Sequence, residues 1–502
     1  MRPAPFFRPT PHWVGDVIPY THEGVFYLYY LHEQRLSPKP GTSWHLVTTE
    51  DLVHYTDHGE VLPHGDENES DFNAYTGSVI TDDEGLHHLF YTGQNPSILG
   101  TDGRPLQVMM HATSSDLLSW TKHPEDTSAA PAGYETGDWR DPFVYRTSPD
   151  GPWQMICAAR YVDGPDRRRG VVARCTSTDL RSWEPAEPLW DPRRFLTQEC
   201  PEIFQMGEWW YLVYSEFTDA FVTRYRMARS PEGPWGAPVR DTIDGRAFYA
   251  AKSAERNGRR FFFGWIATRE NECDDGAWQW AGTLSALEAV QNPDGTLAFR
   301  IPPEVLESHT AQSDAALTVR DVVAPTSHGV AVGARDLPPS FTARIDLELT
   351  EGTREAGILL RTDDEGERGY ALRLEPAAGR MVLDRWPRRI TGTEQWQVSG
   401  DVPHVLELER PADLSGPHHR LDIVMDRDIL VAGLDGHVVL STRLYDHEQG
   451  RLGIFATDGS VRVHELVLTT STAPSTSFDG EDNEALTISD TDSRGDRTAA
   501  AR

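Results

Sequence analysis

Short runs of aromatic and β-branched residues, broken every few positions by Gly, Pro or Asp, fill the first 270 residues of the chain. Phe26-Tyr27-Leu28-Tyr29-Tyr30, Leu89-Phe90-Tyr91-Thr92-Gly93, Trp153-Gln154-Met155-Ile156-Cys157 and Trp209-Trp210-Tyr211-Leu212-Val213-Tyr214 are the clearest. Runs of this length between turn residues predict short antiparallel strands, and no stretch sustains the apolar period of an amphipathic helix. Each run follows a segment of similar pattern, at residues 15–20, 77–82, 140–145 and 200–205. A weaker fifth copy, residues 248–253, precedes Arg260-Phe261-Phe262-Phe263-Gly264-Trp265. Self-similarity of this kind marks a repeat architecture.

A second element recurs downstream of the first three copies. Thr49-Glu50-Asp51-Leu52, Ser114-Ser115-Asp116-Leu117 and Ser177-Thr178-Asp179-Leu180 place their aspartates 65 and 63 residues apart. Five units of this length predict a propeller of five four-stranded blades over residues 1–300. After a turn-rich connector at 301–321 the pattern becomes a plain two-residue alternation, as in Phe341-Thr342-Ala343-Arg344-Ile345-Asp346-Leu347-Glu348-Leu349. Gly357-Ile358-Leu359-Leu360-Arg361, Tyr370-Ala371-Leu372-Arg373-Leu374, His404-Val405-Leu406-Glu407-Leu408 and Leu421-Asp422-Ile423-Val424-Met425 continue it. Several such strands predict a β-sandwich over 322–470. Residues 471–502 are rich in Ser, Thr, Asp and Gly and poor in large apolar residues, the composition of a disordered acidic tail. The fold class expected is therefore all-β, a five-bladed β-propeller followed by a C-terminal β-sandwich.

Charge narrows the choice of partner. With 47 basic against 78 acidic side chains the formal charge is −31, which repels phosphate backbones and anionic membranes and leaves a neutral ligand as the better partner. Cys157, Cys175, Cys200 and Cys273 lack the paired spacing of a zinc module and are too sparse for a disulfide framework, so they are expected to be thiols. The N-terminus has no apolar segment typical of a secretory signal and no apolar run reaches membrane-spanning length. A cytoplasmic location is the resulting expectation. His12, His32 and His45 show no metal-ligand spacing and read as packed or surface residues, and the His87-His88 pair reads as a turn.

Three stretches combine carboxylates with the start of a repeat: Trp13-Val14-Gly15-Asp16, Asp138-Trp139-Arg140-Asp141-Pro142 and Gln198-Glu199-Cys200-Pro201-Glu202. In a propeller the innermost strand of each blade lines a central channel. Acids distant in sequence would converge there. The alignment puts Asp16, Ser78, Asp141 and Pro201 in one column, with Glu199 two residues earlier on the same side of an extended strand; Glu202 would face away unless a bulge intervenes. Glycosidases commonly use two carboxyl groups, one ionised and one kept protonated by its surroundings. The guanidinium of Arg140 beside Asp141 favours an ionised carboxylate, whereas the weakly charged setting of Glu199 favours a proton donor.

Taken in order, these motifs resemble glycoside hydrolase family 32, the invertases, levanases and inulinases. The resemblance spans roughly residues 5–470 and includes Trp44 through Tyr55, Thr76-Gly77-Ser78, Trp139-Arg140-Asp141-Pro142, Glu199-Cys200-Pro201, Phe248-Tyr249-Ala250-Ala251-Lys252-Ser253 and Trp280-Ala281-Gly282-Thr283-Leu284-Ser285. It implies a β-fructofuranosidase that retains anomeric configuration, with Asp16 as nucleophile, Glu199 as general acid and then base, and Asp141 as transition-state stabiliser. No metal and no cofactor is implied. Trp13, Trp44, Phe72, Trp139 and Trp280 are candidates for stacking on sugar rings, and Ser78 and Arg140 join the expected substrate-binding set.

The chain also departs from the family pattern. The usual first motif, Trp-Met-Asn-Asp-Pro-Asn-Gly, is here Trp13-Val14-Gly15-Asp16-Val17-Ile18-Pro19, and Leu31 stands where a substrate-contacting glutamine is usual. Lost amides change which hydroxyl patterns a site accepts. Two other readings therefore stand beside the first: an inverting arabinan or xylan glycosidase on a five-bladed propeller, and a non-catalytic carbohydrate-binding relative. The sandwich is expected to cover a propeller flank or to mediate association between copies.

Overall fold

The computed structural model describes residues 4–315, 317, 319–386 and 408–471. Its first 300 residues form five antiparallel blades that follow one another along the chain, the first and last hydrogen-bonded into one eight-stranded sheet. Blade 1 comprises Trp13–His22, Val25–Glu33, Trp44–Thr49 and Thr56–Leu62, and blade 2 comprises Asn73–Thr81, His87–Leu99, Pro105–Ser114 and the short Thr121–Lys122. Blade 3 runs through Tyr134–Tyr145, Trp153–Tyr161, Gly170–Ser177 and Glu184–Trp190. Blade 4 has three regular strands, Glu199–Met206, Trp209–Glu216 and Val222–Ala228, with isolated bridges from Met227 to Gly236 and Arg224 to Thr242 where a fourth would run. Blade 5 is built from Phe248–Arg256, Arg259–Arg269, Trp278–Gln291 and Leu297–Arg300. The five first strands touch their neighbours in a ring, blade 5 returning to blade 1. Val14 pairs with Gly282 and Phe7 with Leu284, which ties the chain start to the last blade. Five units and a closed ring bear out the propeller.

The recurring Asp-Leu element is a turn that the first three blades repeat atom for atom. The amides of Leu52, Leu117 and Leu180 donate to Oγ1 of Thr49, Oγ of Ser114 and Oγ of Ser177, each at 2.9 Å. Two residues further on, His54, Ser119 and Ser182 donate to Oδ1 of Asp51, Asp116 and Asp179 at 2.8 Å. The three leucines sit at φ of 66°, 64° and 62°, a left-handed conformation that costs a residue with a Cβ about 1–2 kcal/mol. Their side chains are buried, so apolar burial and the side-chain-to-backbone bonds offset that cost.

His87-His88 is not a turn. Both residues open the second strand of blade 2 and are buried. His88 Nδ1 lies 2.9 Å from His111 Nε2, while His88 Nε2 and His111 Nδ1 reach Asp82 and Asp126 at 3.1 and 2.8 Å. Burial holds the His111 pKa down to about 4. An aromatic-rich sheet took in the pair because the ring stack with Phe90 satisfies its apolar faces and the two carboxylates its nitrogens.

The second half folds around its own core, with Ile345, Leu360, Leu372, Ile423 and Ile454 fully buried. Its strands include Ser340–Leu349, Glu355–Thr362, Gly369–Glu375 and His418–Asp426, each covering an alternating segment seen in the sequence, and Val438–Arg443. The long final strand Arg451–Thr470 pairs with Glu355–Thr362 through its first part and with Ser340–Leu349 through its second, which links the sandwich layers. Of the strand expected at 404–408, only Leu408 is among the described residues, where it begins Leu408–Pro411. The expected tail lies outside them apart from Ser471. The connector carries the helical turn Pro303–Leu306 and the short strand Ala311–Gln312, which pairs with the end of the final strand.

The sandwich packs on blade 5. Val424, Ile429, Val431 and Val439 share a core with Phe262, Phe263 and Ile266. Arg443 donates to the carbonyls of Ala267 and Ile266 at 2.8 and 3.1 Å and to Thr283 Oγ1 at 2.6 Å.

Candidate active site

Every first strand carries a register shift against its neighbour. It falls between Val14 and Val17, Tyr75 and Gly77, Arg140 and Phe143, Glu199 and Glu202, and Tyr249 and Lys252. A bulge bends the strand and re-aims the side chain at that point. Asp141, Cys200 and Ala250 stand at the bulges of blades 3, 4 and 5 with φ of 62°, 49° and 52°. The structural column is therefore Asp16, Thr76, Asp141, Cys200 and Ala250, all of which line one cavity of about 580 Å³. Arg140, Glu199 and Tyr249, each one residue earlier, line it too.

That column corrects the sequence alignment. Ser78 is two residues past the bulge of its blade, buried, and its Oγ accepts the Val144 amide at 3.0 Å, a staple between blades 2 and 3 rather than a sugar contact. Pro201 follows the column, and Glu199 precedes it by one position rather than two. Glu202 faces away from the cavity despite the bulge; it is buried, accepting the Ser253 amide at 2.7 Å and the Ser253 hydroxyl.

Four of the expected aromatic contacts also change. Trp44 is fully buried between blades 1 and 2 and donates Nε1 to the carbonyls of Ala74 and Tyr75 at 3.2 Å. Trp139 is buried in the core of blade 3 against Tyr134. Trp13 is held between the guanidiniums of Arg8 and Arg35, 4.4 and 4.5 Å from its ring, and lines a separate cavity beside the sandwich. Phe72 lies against His64 and off the pocket. Aromatic side chains next to the catalytic motifs serve blade packing because the bulge turns only one or two residues per strand inward. Trp280 alone of the five lines the pocket.

Asp16 is the most enclosed in hydrogen bonds. Its Oδ2 accepts from Thr76 Oγ1 at 2.6 Å and its Oδ1 from Trp265 Nε1 at 3.1 Å, while Cys200 Sγ lies 3.8 Å from Oδ2. Burial raises its pKa, and the two hydrogen bonds pull it back. Glu199 accepts from Tyr249 OH at 2.7 Å and from Arg140 Nη2 at 3.0 Å. Burial raises its pKa as well, against the opposing charge of Arg140. Asp141 accepts the Cys200 amide at 2.9 Å and has Arg140 Nε at 3.8 Å; burial again raises its pKa. Arg140 is itself fixed by Asp138 Oδ1 at 2.5 Å and Thr197 Oγ1 at 2.9 Å. Burial alone would lower its pKa, but Glu199, Asp138 and Asp141 together raise it. The site thus holds the recessed carboxyls of Asp16, Asp141 and Glu199, each with its pKa pushed up by burial, around one locked guanidinium.

One wall is apolar. Leu31 and Trp280 face the cavity, and a Cβ placed on Gly15 would lie 2.6 and 2.8 Å from Cη2 and Cζ2 of Trp280. Glycine is required there. Arg35 Nη2 donates to the Trp280 carbonyl at 3.0 Å, and Phe221 stacks on Tyr249 at 4.0 Å. Sequence reasoning quoted Tyr249, Thr76 and Asp138 within motifs without giving them a role, and missed Trp265. The signal for Tyr249 was available: it precedes Ala250 as Arg140 precedes Asp141 and Glu199 precedes Cys200.

The chain is 26% identical to the raffinose invertase of Escherichia coli over 457 residues, covering 87% of this chain and 88% of that protein. It is 22% identical over 488 residues to the levanbiose-producing levanase of Bacillus subtilis, covering 91% and 88%. Among solved structures, fructan 1-exohydrolase IIa from Cichorium intybus superposes with a TM-score of 0.72 at 16% identity, over 93% of this chain and 96% of that one, a likeness of fold. Residues 6–299 match the Glycosyl hydrolases family 32 N-terminal domain and residues 307–470 the Glycosyl hydrolases family 32 C terminal. The chain therefore belongs to glycosyl hydrolase family 32 and is a glycoside hydrolase.

Proposed function

We propose that the protein cleaves β-fructofuranosyl linkages in neutral sugars through a covalent glycosyl-enzyme. The observation that carries the reading is the meeting of Asp16, Asp141 and Glu199, from three blades, around one cavity. Asp16, as carboxylate, attacks the anomeric carbon of the fructosyl unit. Glu199, as neutral acid, protonates the departing oxygen. In the second half-reaction Glu199 takes a proton from water, which displaces Asp16 and returns the sugar with its original configuration.

The surroundings of each acid suit its task. Burial favours neutral Glu199 before the first step, while Tyr249 and Arg140 stabilise the carboxylate after it, so neither state is far from the other in energy. Thr76 and Trp265 hydrogen-bond the Asp16 carboxylate and aim it. Asp141, fixed by the Cys200 amide, has an oxygen free to accept from sugar hydroxyls that grow more acidic as positive charge develops on the ring. Trp280 offers a face for the ring or its leaving group.

Relatives support the substrate class. The Escherichia coli and Bacillus subtilis proteins are named as an invertase and a levanase, and fructan 1-exohydrolase IIa was solved with 1-kestose. Sucrose, 1-kestose and levan are thus the substrates to offer first. The four cysteines are free, which fits work in a reducing compartment such as the cytoplasm. The test is fructose release by the wild type, Asp16→Asn and Glu199→Gln, each checked for fold by circular dichroism. Each variant is expected to lose at least about 10³-fold in kcat. Near wild-type turnover in either would overturn the assignment.

A further inference from the structure

Lys252 has no role in the mechanism above, yet it lies at the centre of the propeller. It belongs to the first strand of blade 5, two residues past Ala250 of the pocket floor, and is 1% exposed. Its Nζ donates to the carbonyl of Gly77 in blade 2 at 2.6 Å and lies 5.5 Å from the ring of Phe143 in blade 3. The side chain therefore spans the channel, passing blade 1, with its ammonium below the floor. Gly77 adjoins Thr76, whose hydroxyl holds Asp16.

A buried ammonium is expensive unless opposite charge compensates it. Among the described residues no carboxylate comes within ion-pair distance of Lys252, and one carbonyl and one ring face at 5.5 Å are little compensation. The carboxyls above it show the complementary deficit. Arg140 is engaged by Asp138 and Glu199 and approaches Asp141 only at 3.8 Å. Asp16 forms no ion pair among the described residues. Resting on the reading of Asp16 as nucleophile, we propose that Lys252 is a positioning residue of this site, supplying from beneath the floor the positive charge that balances the Asp16 and Asp141 carboxylates.

The groups that share this field come from every blade bearing charge on the channel: Asp16 and Lys39, the latter paired with Glu33, from blade 1, Asp138, Arg140 and Asp141 from blade 3, Glu199, Cys200 and Glu202 from blade 4, and Arg260 beside Glu202 from blade 5. Lys252 acts to lower the pKa of Asp16 and of Asp141, in both cases against burial. Glu202 has Ser253 and Arg260 as nearer partners, so it does not use up the lysine. The ammonium touches no substrate. It acts through the ionisation of the acids.

Lys252→Gln tests this, since the amide keeps a donor for the Gly77 carbonyl and removes only the charge. The acidic limb of kcat/KM on sucrose or 1-kestose is expected to move up by about one pH unit, roughly a tenfold loss on that limb, with a far smaller loss on the plateau. Lys252→Arg, which keeps the charge, is expected to leave the limb at the wild-type pH even if kcat falls. An unmoved limb in Lys252→Gln, or a loss equal at all pH values, would overturn the inference and leave the parent reading intact. Should Lys252→Gln not fold, an upward-displaced limb in Lys252→Arg does the same. A wild type that cleaves no fructoside would overturn the parent reading and this one with it.

Discussion

Carboxylates on the propeller channel and on the sandwich strands live under opposite rules. In the sandwich, the strand Ser340–Leu349 pairs with His418–Asp426 through an unbroken register from Ser340 opposite Asp426 to Glu348 opposite His418. Its outward acids sit in cross-strand pairs, Arg420 with Asp346 at 2.7 Å and Arg344 with Asp422 at 3.2 Å, and hydrogen bonding from Arg420 holds the Asp346 pKa below its ordinary value. On the channel, each first strand is broken by a bulge. Three of the bulged residues are left-handed without being glycine, and Asp16, Asp141 and Glu199 have pKa values pushed up by burial. Strain and desolvation are concentrated where side chains must face one another across an axis. The sandwich stabilises its charges. The channel holds its charges in readiness.

The contrast can be tested from its strongest side downward. Asp141→Asn is expected to lower kcat by about 10²-fold or more while changing KM little, because its bonds to sugar hydroxyls strengthen in the transition state; steady-state kinetics on sucrose or 1-kestose separate the two constants. Next comes the apolar wall. Gly15→Ala would drive a methyl into Trp280 and is expected to cost about tenfold in kcat/KM, whereas Gly15→Ala combined with Trp280→Ala should cost less than the sum of the two single changes. Additive losses would mean that the indole is not what glycine makes room for.

Stability should move the other way from activity. A carboxyl whose pKa is raised in the fold is neutral in both states below its unfolded value, near 3.8 for Asp16, and costs stability as pH rises through the folded value. Asp16→Asn is therefore expected to be more stable than the wild type by on the order of 1 kcal/mol at pH 7, a gain that vanishes near pH 3.5; thermal melts at the two pH values check it. The smallest effect belongs to the sandwich. Asp422→Asn, on an exposed cross-strand pair, is expected to cost no more than about 0.5 kcal/mol and to leave kcat/KM unchanged.

Much of this was legible in the chain. The five-fold repeat was visible because each blade spells its strands with aromatics and the first three spell an outer turn with Ser or Thr, then Asp and Leu. The side chains of that turn bond the backbone in the same way each time, so the spelling could not drift. Asp16, Asp141 and Glu199 were legible as acids at blade starts, and Arg140 and Trp280 fell on the pocket as expected. What the sequence did not carry was the bulge. Alignment of the repeats puts Ser78 in the column, and Trp139 reads as a stacking candidate beside Asp141; one extra residue per strand exchanges the faces. Trp44 and Trp13 were hidden for another reason: a large indole next to a motif is equally at home between blades, and only coordinates distinguish packing from exposure. Lys252 was invisible because its partners are a carbonyl and a ring on two other blades.

The account rests on Asp16 and Glu199 acting as nucleophile and proton donor in one cavity. Its most direct test is to incubate Glu199→Gln with a fructoside carrying a strongly acidic leaving group, digest the protein, and locate the sugar by mass spectrometry. A single fructosyl adduct on the peptide bearing Asp16, released on adding azide, is the predicted result. An adduct on any other residue, or no adduct with products of inverted configuration, would contradict it.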